Sequence, residues 1–162
     1  MYQKVLVPLD GSELAECVLP QVESVIRDCK TTEVVLLRVV EPSTLPVGTL
    51  SDGGSIFTSI EAEKIRKDTD ERAKSEAIDY LQGLARKVKY NGVSPKTEVL
   101  TGKPAETIAD YAKMNNVDII TISTHGRSGP SRLVWGSVAD RVLRSSCVPV
   151  LMVRAPGCCA AL

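Results

Sequence analysis

The sequence predicts an α/β fold of three layers, in which helices cover both faces of a doubly wound, five-stranded parallel sheet. Three observations lead to this prediction. Strand-like and helix-like segments alternate along the 162 residues. The strand-like segments are nearly continuous apolar runs, as in strands covered on both faces. Connections between parallel strands are right-handed crossovers, which place helices on the sheet faces. We expect the strand order 3-2-1-4-5, with the reversal between strands one and four.

The five strands are predicted from short runs of apolar and β-branched residues bounded by turn-forming residues. The Asp10-Gly11 pair ends the first run. The third run is more polar than the others, which favours a position near a sheet edge. The predicted strands are residues 4–9, 34–40, 96–100, 118–123 and 149–153.

Four helices are predicted between these strands. Helix one is expected to be continuous over residues 13–29, with Leu14 on its buried face. Helix two is expected over residues 60–90, long for a globular protein and charged on its outer face. Pro104 in the first turn opens helix three, and helix four covers residues 138–145.

The segments between the regular elements are rich in glycine and proline. Residues 41–59 show little periodicity and are predicted to form a mobile loop that serves as a lid or an interaction segment. We expect one domain over residues 1–154 and a disordered tail over residues 155–162. The last four residues match a prenylation box, but no polybasic run precedes them, so a plain tail is favoured.

Composition disfavours several classes of protein. The 20 basic and 20 acidic residues cancel without forming long runs of like charge, so a nucleic-acid partner is not expected. No apolar stretch approaches the roughly 18 residues of a membrane span. Five cysteines without a C-x-x-C pair, together with a single histidine, favour reduced thiols over disulfides or a zinc site. With no secretory leader pattern at the N-terminus, a cytoplasmic location is expected.

The segment with most chemical information is residues 123–137, which follows a strand and opens a helix. Gly126 and Gly129 allow backbone N–H groups to approach a ligand closely. Gly136-Ser137 lies at the predicted start of a helix, where free amides and the helix dipole favour an anion. The segment therefore predicts a phosphate cradle. Ser137 also fits a capping pattern, with an acidic residue three positions later, so it is open to a purely structural interpretation.

Several segments resemble the universal stress protein family. Thr124-His125-Gly126, nine residues, and then Gly136-Ser137 resemble the family signature, in which a glycine, two residues, a glycine, nine residues and Gly-Ser or Gly-Thr form the ATP loop. Residues 5–12, 102–108 and 146–151 look like the same family, so the resemblance covers almost the whole chain. This chain has Ser123 where the signature has its first glycine.

The resemblance implies an adenine nucleotide alpha-hydrolase-like fold and a stress-response protein that binds ATP or AMP, with or without Mg. It further implies a homodimer through the last strand and an unidentified protein partner. Asp10 would bond the ribose, and Pro8, Leu9 and Val39 would enclose the adenine, with the backbone of Val39 reading its edge. The phosphates would be held by Gly126, Arg127, Gly129, Ser137 and Val138. The other residues assigned to the site are Gly102, Ser123, His125 and Gly136.

A conventional enzyme is not favoured. The chain has neither the G-x-x-x-x-G-K-[ST] phosphate loop nor the G-x-G-x-x-G dinucleotide fingerprint. His125 has no nucleophilic or acidic partner nearby in sequence, so no catalytic residue and no metal ligand is assigned. Two alternatives stay open. One is a nucleotide-free dimeric interaction protein of the same fold, which Ser123 would favour, and the other is an adenylate-transferring enzyme.

Overall fold

The computed structural model describes residues 2–43, 59–88, 90, 92–124 and 136–154. Most of the predicted mobile loop, the glycine-rich segment 125–135 and the tail lie outside these residues. The strands are β1 (Lys4–Pro8), β2 (Glu33–Val40), β3 (Lys96–Thr101), β4 (Ile119–Ser123) and β5 (Val150–Val153). The helices are α1 (Glu13–Glu16), α2 (Leu19–Cys29), α3 (Ser59–Lys87), α4 (Pro104–Met114) and α5 (Ser137–Ser145).

All five strands are parallel and lie in the order β3-β2-β1-β4-β5, which confirms the predicted topology. The central strand β1 pairs through Leu6 with Val35 on one side and Ile120 on the other. The strand order reverses between β1 and β4, so the chain leaves these neighbouring strands towards opposite faces of the sheet. A crevice therefore opens beyond their carboxyl ends.

Alternating side chains of the strands build two separate cores. Val5 and Val7 face α2 and α3, where they pack in one buried cluster with Leu81. Leu6 faces α4 and α5, and packs in a second cluster with Ile108. Each strand of this kind buries both of its faces, which explains why the strands read as continuous apolar runs. The three predicted layers are thus confirmed.

The prediction of one continuous helix over residues 13–29 is wrong. α1 ends at Glu16 and α2 begins at Leu19. Pro20 has no N–H to donate to the carbonyl of Glu16, and its ring would collide with that carbonyl inside a continuous helix. In the first turn of α2 the same ring is well tolerated. Leu14, predicted to lie on the buried face of the continuous helix, is 41% exposed.

The long helix α3 spans 29 residues and ends at Lys87, three residues before the predicted end. Tyr90 has left the helix, forms an isolated bridge with Val93 and is buried. In the N-terminal half of α3, Asp70 Oδ1 accepts the backbone N–H of Ser43 at 2.8 Å and the Ser43 hydroxyl at 2.6 Å. These bonds lower the pKa of Asp70 and join the exit of β2 to α3.

Candidate functional site

A cavity of about 580 Å³ opens beyond the carboxyl ends of β1, β2 and β4. Its volume lies within the range of small-molecule sites. The site predicted from sequence falls largely on its walls. The predicted residues that line it are Pro8, Leu9, Asp10, Val39, Ser123, Gly136, Ser137 and Val138.

The remaining predicted residues are elsewhere. Gly102 follows β3 and is not part of the cavity lining. A Cβ at this position would lie 2.5 Å from Thr107 Oγ1, so the glycine is needed for the close turn into α4. His125, Gly126, Arg127 and Gly129 lie outside the described residues.

Asp10 is held in a tight turn at the end of β1. Its Oδ1 accepts the backbone N–H of Ser12 at 2.9 Å and the Ser12 hydroxyl at 2.6 Å. The Ser12 hydroxyl in turn accepts the N–H of Ala15 at 3.1 Å and thereby caps α1. Gly11 permits this turn because its φ is +85°, a conformation that residues with a Cβ rarely adopt. The turn fixes the carboxylate at the cavity wall.

The backbone of Val39 faces the same cavity. The last residue pair of β1 and β2 is Pro8 opposite Leu37, and the Leu37 carbonyl accepts the N–H of Leu9 at 2.8 Å. Backbone groups two residues apart in a strand point to the same side. The N–H and C=O of Val39 therefore point towards the β1 side, past the end of that strand. Such an edge can pair with the polar edge of a planar ligand.

The N-terminus of α5 forms another wall. Ser137, considered as the capping residue, is instead the first residue of the helix, and Gly136 occupies the cap. Within the described part of the chain, no side chain caps this terminus. The first intrahelical bond runs from Asp140 N–H to Gly136 C=O at 3.0 Å. The amides of residues 137–139 thus have no intrahelical acceptor, and all three residues line the cavity. This arrangement favours an anion.

Ser123 joins two walls of the cavity. It is 7% exposed, and its hydroxyl donates to the carbonyl of Leu14 at 3.0 Å. The Cys17 thiol donates to the same hydroxyl oxygen at 3.7 Å. The serine that replaces the signature glycine therefore connects the end of β4 to α1.

Replacing Ser123 with glycine is expected to lower the free energy of unfolding by about 1 to 2 kcal/mol, because a partly buried hydrogen bond is lost and the unfolded chain gains freedom. Urea denaturation measures this change. Ser94→Gly is the matched control, since Ser94 is exposed in a loop. Equal losses in the two variants would show that the contact with Leu14 contributes nothing.

Sequence reasoning missed three charged residues of the cavity lining, which are Arg38, Glu41 and Glu76. The guanidinium carbon of Arg38 lies 5.4 Å from the centre of the Tyr80 ring. The Tyr80 hydroxyl donates to Glu16 Oε1 at 3.0 Å. Burial, this hydrogen bond and the nearby carboxylates raise the pKa of Tyr80, so it stays a protonated donor at neutral pH. In the sequence, the one indication of this charged group was an arginine, Arg38, inside an otherwise apolar strand.

The described residues also bear on metal binding and on membrane insertion. No group of three or more His, Cys, Asp or Glu side chains in the described ranges is arranged to hold a metal ion. In the same ranges, the helices include none that combines the length and the apolar character of a membrane span.

Known proteins resemble this chain over nearly its full length. Universal stress protein MJ0531 of Methanocaldococcus jannaschii is 30% identical over 158 residues, which are 96% of this chain and 84% of that protein. The solved structure of MJ0577 from the same organism is 28% identical, with a TM-score of 0.78 over 97% of this chain and 99% of that one. The structure of a universal stress protein family protein from Arabidopsis thaliana with AMP bound has a TM-score of 0.57 over 96% of this chain and 93% of that one. At 14% identity, this likeness shows the fold alone.

The fold agrees with these relatives, because its five parallel strands in the order 3-2-1-4-5 are those of the adenine nucleotide alpha-hydrolase-like proteins. The sequence profile of the universal stress protein family matches residues 1–154. The chain therefore belongs to the universal stress protein family, a family of stress-response proteins.

Proposed function

We propose that this protein binds ATP or AMP in the cavity and acts in the cytoplasm as a nucleotide-dependent regulator. The observation that carries the proposal is the N-terminus of α5, which no side chain of the described residues caps and whose first three residues line a cavity of nucleotide size. Phosphate groups would accept from the amides of residues 137–139. The adenine would lie against Pro8 and Leu9 with its edge on the Val39 backbone, and the ribose would lie at Asp10. One protein of the same fold is known with AMP bound.

The decisive experiment is to measure binding in the purified, nucleotide-free protein. Isothermal titration calorimetry should give a one-to-one complex with ATP and with AMP, and adenosine should bind at least about tenfold more weakly because it cannot use the α5 terminus. Titrations with and without Mg determine whether the ion contributes. Absorbance and mass spectrometry of the denatured protein identify nucleotide that has co-purified. Failure of ATP and AMP to bind would favour the nucleotide-free interaction protein, and accumulation of an AMP-bearing product would favour adenylate transfer.

We also propose a homodimer through β5, which ends the sheet and leaves one edge available for a second copy. The carbonyls of Pro149 and Val153 accept the N–H groups of Ile120 and Thr124. The backbone groups of Val150 and Met152 therefore point away from β4, towards the free edge of the sheet. Light scattering should give twice the 17.5 kDa chain mass. Met152→Pro should shift the protein to monomer without removing a bond to β4, since it deletes an outward N–H. A wild-type monomer at all workable concentrations would contradict the dimer.

A further inference from the structure

Arg38 lines the cavity from strand β2 and is held there by its neighbours. Its guanidinium lies over the Tyr80 ring, and a Cβ placed on Gly11 would come within 2.9 Å of one of its terminal nitrogens. The group is thus held between an aromatic ring and the backbone that directly follows Asp10. Stacking of this kind restrains the planar guanidinium and leaves its N–H edges available for bonding.

The guanidinium has no protein acceptor in the described part of the chain. None of the ion pairs or hydrogen bonds found among residues 2–43, 59–88, 90, 92–124 and 136–154 involves Arg38. Its side chain nevertheless lines the cavity. Because a guanidinium offers five N–H donors, an oriented one on a cavity wall is suited to contact acceptor atoms of a ligand.

The charges on the cavity lining define what kind of ligand group fits. Among the described residues, the lining holds Arg38 and three carboxylates, those of Asp10, Glu41 and Glu76. One positive charge against three negative charges disfavours a phosphate, which is better placed at the amides of α5. A neutral group that both donates and accepts hydrogen bonds satisfies carboxylate and guanidinium together. Adjacent hydroxyl groups of a sugar have this property.

We propose that Arg38 is a specificity-determining residue that, with Asp10, reads the ribose diol of the nucleotide. Each hydroxyl donates to the carboxylate of Asp10 and accepts an N–H from Arg38. The site then selects ribonucleotides over deoxyribonucleotides, since a missing hydroxyl leaves N–H donors of the Arg38 guanidinium unpaired on the cavity wall. This inference rests on the proposed nucleotide function.

The test compares the affinities of ATP, 2′-deoxyATP and 3′-deoxyATP by calorimetry. The wild type should bind ATP about tenfold or more tightly than at least one deoxy analogue, as expected for a lost hydrogen bond to a charged group. In Arg38→Met this preference should fall to about twofold or less, mainly through weaker binding of ATP. Tyr80→Phe keeps the ring beneath the guanidinium and should keep the preference. Arg86→Met is the matched control, since Arg86 is exposed in the last turn of α3 and outside the cavity.

The possible outcomes separate this inference from the proposed function. Equal binding of ATP and both deoxy analogues by the wild type overturns the inference and leaves nucleotide binding intact, whatever the variants do. So does an Arg38→Met protein that binds all three ligands more weakly by one common factor. Absence of ATP binding by the wild type instead defeats the proposed function.

Discussion

Replacing Ser137 with proline is expected to weaken ATP binding about a hundredfold, because a hydrogen bond to a charged group contributes about 1.5 to 3 kcal/mol and two are lost. The substitution removes both the hydroxyl and the amide N–H of the first residue of α5. That amide has no intrahelical acceptor, so the helix itself loses nothing. Gly136 already has φ −49° and ψ 134°, a conformation that a residue before proline readily adopts. The melting temperature without nucleotide should therefore stay near that of the wild type.

Ser137→Ala is the matched variant, because it removes the hydroxyl and keeps the amide. Its affinity for ATP should fall about tenfold, as expected for the loss of one such hydrogen bond. Since no side-chain cap is made at this terminus within the described residues, its stability should hardly change. Calorimetry on both variants, with thermal melts of the free proteins, separates binding from folding. Proline and alanine variants with equal affinity would show that the amide at position 137 does not contact the phosphates.

Replacing Leu36 with alanine is expected to lower the free energy of unfolding by about 3 kcal/mol. Leu36 is fully buried on the face of β2 that packs with α2 and α3. β2 lies between β1 and β3, so the space left by the missing atoms cannot collapse easily. Urea denaturation at equilibrium gives the change in stability.

Leu143→Ala is the control for this core substitution, because Leu143 is 45% exposed on α5. It should lower the free energy of unfolding by less than about 1 kcal/mol. Leu36 does not line the cavity, so the folded fraction of Leu36→Ala should bind ATP with unchanged affinity. Similar losses for the two leucine substitutions would contradict the description of the core.

The strands were predictable because a strand that is buried on both faces consists of a nearly continuous run of apolar residues. Their order was predictable because strands and helices alternate along the chain, as in doubly wound sheets. The break between α1 and α2 was also present in the sequence, at Pro20, but the apolar positions on either side continue the same helical periodicity and concealed it. The position of Leu14 could not be read from that periodicity. It depends on how α1 packs against distant parts of the chain, to which it is joined by contacts such as the bond between Ser123 and the Leu14 carbonyl.

Part of the cavity lining was predictable from its place next to the strands at the reversal point. Pro8 and Asp10 lie at the end of β1, and Ser137 begins the helix that follows β4, so the topology alone brings them to one cavity. Arg38 is different. Its place in the site depends on Tyr80, 42 positions later in the chain, and on the missing side chain of Gly11. Local sequence patterns contain no information about such a contact, so only the folded structure identifies it.

The break at Pro20 divides the first crossover into two units of unequal stability. A helix of four residues cannot persist by itself, so α1 depends on its cap at Ser12 and on its bonds to Tyr80 and Ser123. We expect its amide protons to exchange with solvent well before those of α2, through local opening rather than global unfolding. A ligand that orders Asp10 would also stabilise Ser12, the residue that caps α1. Amide exchange in α1 would therefore become slower when the ligand binds. Nucleotide binding would then change the stability of a surface helix, the one that carries the exposed Leu14.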